Sequence, residues 1–87
     1  MKTIWKYPLD VADHQVLNIP AGAEILCVQV QNGQACLWAL VNADAPPARR
    51  GIFIHGTGHE VNRLAGKYIG TFQLMGGALV FHVFEEK

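Results

Sequence analysis

At 87 residues the chain has room for one domain with one modest core, because folding at this size removes only about 60 to 65 per cent of the surface an unfolded chain exposes. Hydrophobic residues make up 51% and charged residues 16%, which excludes a disordered chain and raises the expectation of a homo-oligomer, since so small a domain cannot cover every apolar face from within. Seven basic residues offset seven acidic ones, so no net field favours duplex nucleic acid, and with strand-sized apolar runs and no signal-peptide stretch at the start, a cytoplasmic protein without a membrane partner is expected.

In chain order, Thr3 to Leu9 mixes Ile4, Trp5 and Tyr7 with polar residues and carries Pro8, which predicts an edge strand. Asp10 to Asp13 predict a turn. Gln15 to Ile19 predict a short strand stopped by Pro20-Ala21-Gly22. Glu24 to Val30 and Ala35 to Val41 flank Asn32-Gly33, the dipeptide that best tolerates the positive φ angles of a type I′ hairpin turn. The turn sets Val28 opposite Leu37 and Cys27 opposite Trp38. One face then carries Leu26, Val28, Val30, Leu37 and Ala39, and the other Ile25, Cys27, Gln29, Cys36, Trp38 and Leu40. Both are largely apolar, so coverage on two sides is expected.

Ala43 to Arg50, with Pro46-Pro47, predicts a surface loop; Gly51 to His55 predicts a strand broken by Gly56-Thr57-Gly58-His59; and Glu60 to Gly66 suits a loop or one helical turn. Lys67 to Leu74 and Ala78 to Glu85 predict a second hairpin about Gly76-Gly77, pairing Phe72 with Phe81, Thr71 with His82 and Ile69 with Phe84. No segment holds a helical period. The expected fold is a single all-β domain over 1–87, a small antiparallel sandwich or partly open barrel of about six or seven strands.

Few residues suggest chemistry. The chain has no serine, and Cys27 and Cys36 fall mid-strand beside Trp38, which predicts inert thiols rather than nucleophiles. His55 and His59 have a metal-ligand spacing only on a helix, and two glycines lie between them. No catalytic set, metal site or cofactor is therefore expected, and the domain reads as non-enzymatic. The segment Arg49 to Lys67 stands out: Arg49, Arg50, Arg63 and Lys67 face Glu60 alone, a net +3 that suits a compact anion as well as an ordinary solvated loop. On the second hairpin, Thr71, Gln73 and His82 share a face with Ile69, Val80 and Phe84, which suits a small-molecule pocket or a subunit interface.

The runs Gln29-Val30-Gln31-Asn32-Gly33, Cys36-Leu37-Trp38-Ala39-Leu40-Val41, Gly56-Thr57-Gly58-His59, Tyr68-Ile69-Gly70-Thr71-Phe72 and Gly76 to Phe84 resemble a family of short uncharacterised proteins of tailed bacteriophages and prophages. That resemblance implies a phage accessory protein in the host cytoplasm. In size and in its basic band the chain is similar, at the level of class, to phage anti-defence sponges that sequester cyclic-nucleotide or cyclic ADP-ribose signals. The resulting expectation is a homo-oligomer holding a phosphate-containing nucleotide. Arg49, Arg50, Arg63 and Lys67 would meet phosphate, His55 and His59 would donate hydrogen bonds, and Trp38 or Tyr68 would stack on a base. The alternatives are a module docking on a host or virion protein and, last, a phosphoesterase using His55 or His59.

Overall fold

Apolar alternation broken by turn dipeptides produces seven strands. In the computed structural model, which describes residues 1–87, these are β1 (Lys2–Pro8), β2 (His14–Pro20), β3 (Glu24–Gln31), β4 (Gln34–Asn42), β5 (Pro47–Gly56), β6 (Ala65–Leu74) and β7 (Leu79–Glu86), with one 3-10 turn, Met75–Gly77, before β7. They form two antiparallel sheets, a three-stranded one in the order β1-β4-β3 and a four-stranded one in the order β2-β5-β7-β6. The sheets pack face to face as an open sandwich rather than a closed barrel. No helix is long and apolar enough to cross a membrane.

The core lies between the sheets. Ala35, Leu37, Ala39 and Val41 of β4 and Val28 of β3 meet Ile19, Ile52, Ile54, Phe72 and Val83 of the opposing sheet, all buried. Every second residue of β4 points inward, so Cys36, Trp38 and Leu40 point to the back of the three-stranded sheet. Cys27 and Cys36 are free thiols.

The hairpin turn forms as its sequence predicts, with Asn32 at φ 52° and Gly33 at φ 77°, and it places Val28 opposite Leu37 and Cys27 opposite Trp38. Further from the turn the expected faces fail. Ile25 lies opposite Ala39 because Leu26 is an extra, bulged residue, so Ile25 packs on the core and Leu26 is exposed. The same device acts in β6, where Tyr68 rather than Ile69 lies opposite Phe84 and Ile69 turns to the core. The bulged strands approach one another closely: a Cβ on Gly70 of β6 would sit 2.8 Å from Cγ1 of Val28 in β3.

Two further expectations need correction. The loop after β4 ends earlier than Arg50, because β2 pairs with β5 from Pro47 onward and sets Asn18 opposite Arg49 and Leu17 opposite Arg50. The hairpin at Asn32-Gly33 has a second sheet on one face only; on its other face side chains of the same sheet bury Cys36, with Lys6 over Trp38 and bonded to Gln31, and leave Trp38 and Leu40 half-buried. Between Glu60 and Leu64 the chain makes turns instead of helix, held by Asn62, whose Oδ1 accepts from the Leu64 amide at 2.8 Å.

Candidate functional site

Alternation on β2, β5, β7 and β6 sends a second set of side chains to the back of the four-stranded sheet. One cross-strand row runs His14, Phe53, Phe84 and Tyr68, one residue from each strand in register. Its rings meet in two pairs, His14 with Phe53 at 4.6 Å between centroids and Phe84 with Tyr68 at 5.5 Å edge-on. The next row places His55 opposite His82 and His82 opposite Thr71. His55 stacks within 7° of parallel on Phe53, 6.0 Å away.

A polar chain crosses this second row. Tyr68 Oη and Thr71 Oγ1 are 2.5 Å apart, Thr71 Oγ1 lies 2.9 Å from His82 Nδ1, and His82 Nε2 lies 2.7 Å from Thr57 Oγ1. Both ring nitrogens of His82 are therefore engaged, which fixes the ring's orientation.

The segment from Thr57 to Leu64 folds beside these rows. It turns at Gly58, whose φ of 85° needs glycine, and His59 lies over Gly56, where a Cβ would come within 3.1 Å of the imidazole. The Asn62 amide donates to His55 Nε2 at 3.3 Å. Between this segment and the sheet opens a cleft of about 730 Å³. Asp13, His14, Phe53 and His55 line it from the sheet side, and His59, Glu60, Asn62 and Arg63 from the segment. Arg63 takes part in no ion pair. With the imidazoles neutral, Asp13, Glu60 and Arg63 leave the cleft at a formal charge of −1.

The structure brings His55, His59 and Arg63 together and disperses the remaining expected residues. Arg49 and Arg50, adjacent on a strand, point to opposite faces. Arg49 reaches Glu86 at 3.5 Å on the back of the sheet. Glu86 crosses Gly51 to His14, accepting at 2.6 Å, and this hydrogen bond, aided by the charge of Arg49, holds its carboxyl below the usual carboxylate range. Arg50 points inward, donating to Glu85 at 2.5 Å and to the carbonyl of Ala23 at 2.9 Å, so it ties the four-stranded sheet to the segment leading into β3. The bond to Glu85 raises its pKa further. Trp38 lies on the back of the other sheet, and Lys67 lines no part of the cleft. Tyr68 shares the sheet face and contacts Phe84 without lining the cleft.

His14, Phe53 and Asn62 join the site without any sequence expectation. The first two meet only because β2 pairs with β5, a long-range pairing that no turn dipeptide announces. No three His, Cys, Asp or Glu side chains converge to hold a metal ion.

Fold and cleft together define an all-β sandwich with a ligand-sized recess on the back of one sheet. The chain belongs to the DUF7352 family, a domain of unknown function, which it matches over residues 1–87. No curated protein and no solved structure matches it.

Proposed function

We propose that the domain binds a small phosphate-bearing nucleotide in this cleft and releases it unchanged, acting as a phage accessory protein that sequesters a cyclic-nucleotide or cyclic ADP-ribose type signal in the host cytoplasm. The observation that carries the reading is the convergence of the unpaired Arg63 with His55, His59 and the Phe53 ring in one recess of about 730 Å³. That volume lies within the roughly 300 to 1,000 Å³ of small-molecule sites. An arginine free of carboxylate partners is a bidentate donor for phosphate, imidazoles add single donors, and the rings favour a planar group. Asp13 and Glu60 suit the donor groups of a sugar or base. Arg50 is spent on Glu85 and is not part of this set.

Thermal shift and native mass spectrometry with cyclic dinucleotides, cyclic ADP-ribose isomers and linear mononucleotides test the reading. A stabilising ligand recovered intact from the denatured complex is the expected result, and Arg63→Ala should weaken its binding by about tenfold while leaving the fold in place. No stabilisation by any nucleotide sinks the proposal. Recovery of a hydrolysed ligand would favour the phosphoesterase. The second reading, docking on a host or virion protein, draws on the exposed apolar back of the three-stranded sheet, and a stable heterologous partner in pull-down would favour it.

A further inference from the structure

The back of the three-stranded sheet lies on the far side of the molecule from the cleft, and it has an apolar centre bordered by Gln29, Gln31, Gln34 and Asn42. Trp38 and Leu40 lie half-buried along its central strand beside the buried Cys36, Ile4 flanks them from β1 at 57% exposure, and Cys27 flanks them from β3. The charges on this face are sorted by edge. Lys2 and Lys6 lie on β1 and Glu24 on β3, and none of the three makes an ion pair within the chain. Lys6 stands 6.0 Å over the Trp38 ring and donates to Gln31.

We infer that this face is the contact between two copies of the chain, related by a two-fold axis parallel to β4. The charges select the axis. A two-fold axis across the strands would lay β1 over its own copy and oppose lysine to lysine. An axis along β4 lays β1 over the partner's β3. Because Ile4 and Glu24 both lie opposite Leu40, the partner's Glu24 then falls level with Ile4, between Lys2 and Lys6. The same axis stacks Trp38 on the partner's Trp38 at the centre, where interface energy concentrates.

The area fits a weak, concentration-dependent contact. Three strands about 4.8 Å apart and seven residues of about 3.3 Å each make a face of about 14 by 23 Å, so about 650 Å² is covered on the two copies together, below the roughly 1,200 Å² at which stable interfaces begin. Edge-to-edge pairing is disfavoured, because the free edge at β1 carries Pro8 and two lysines.

The inference does not depend on the ligand cleft, and its test involves no ligand. Sedimentation equilibrium should find the wild-type chain at twice its 9.6 kDa mass at micromolar to submillimolar concentration. Glu24→Lys leaves the face wholly positive, and Lys2→Glu with Lys6→Glu leaves it wholly negative. Each variant alone should associate at least about tenfold more weakly than wild type, and an equal mixture should form a heterodimer. Circular dichroism on each separate variant checks that it is folded. A monomeric wild type at 0.5 mM (about 5 mg/ml), variants that dimerise undiminished, or a mixture that stays monomeric would each overturn the inference.

Discussion

The two sheets share one core and differ on their backs. The back of the four-stranded sheet satisfies most of its polar groups: its rings pack on one another, His82 is bonded at both nitrogens, and Glu86 is held by His14 and Arg49. Phe53 on that face is 6% exposed although it lies outside the main core. The back of the three-stranded sheet satisfies less, with Ile4 open, Lys6 bonded to Gln31 without a carboxylate, and Lys2 and Glu24 in no ion pair. The rings and ion pairs of the first face form the floor of the recess, although Tyr68 and Val16 stay exposed there, whereas the second face is the one on which the proposed partner copy would sit. The difference teaches that equal apolar patterning in two sheets does not imply equal roles.

The comparison can be broken by mutation. Phe53→Ala should have the largest effect, about 3 kcal/mol of unfolding free energy, because it empties a packed site under His14 and His55. A loss below about 1 kcal/mol in urea unfolding would mean that the outer rows are loose. Arg50→Ala should follow at about 2 kcal/mol, since it strands Glu85 and the Ala23 carbonyl at the end of the sandwich. If it lowered ligand affinity without lowering stability, Arg50 would belong to the cleft after all. Ile4→Ala should cost less than about 0.5 kcal/mol when the protein is dilute.

The smallest effect is a pH dependence. The Glu86 carboxyl is depressed in the folded chain, so its contribution to stability is present above the ordinary glutamate range and lost as pH falls through the lower, folded value. Glu86→Gln should therefore be less stable than wild type near neutrality, with the gap closing in acid. A gap that is constant with pH would show that the His14 bond does not act through the carboxylate charge.

Much of the fold was legible because local signals carry it. Asn32-Gly33 announces a turn whose conformation sets the register of the nearest five pairs, and Gly76-Gly77 announces the second hairpin with Phe72 opposite Phe81 and Thr71 opposite His82. The signal decays with distance from the turn. At Leu26 and Ile69 one extra residue reverses the inside-outside reading, and nothing in the side chains distinguishes a bulged leucine or isoleucine from a paired one. The cleft was legible only as a basic segment. His55, His59 and Arg63 are close in sequence and remain close in space. Arg49 and Arg50 part in space because a strand, unlike a loop, sends neighbours to opposite faces, and their carboxylate partners lie at the far end of the chain.

The bulges have a further consequence for lineage. An extra residue in a paired strand acts as a spacer: with Leu26 removed, Ile25 still faces inward and Cys27 outward, so the alternation continues in frame. The same holds for Ile69 between Tyr68 and Gly70. A third extra residue lies between Ala65 and Tyr68, where three steps along β6 match two along β7. A deletion elsewhere in these strands inverts every side chain beyond it. Single-residue length differences among members of the family should therefore gather at these three places, where the chain can lose a residue without losing its phase.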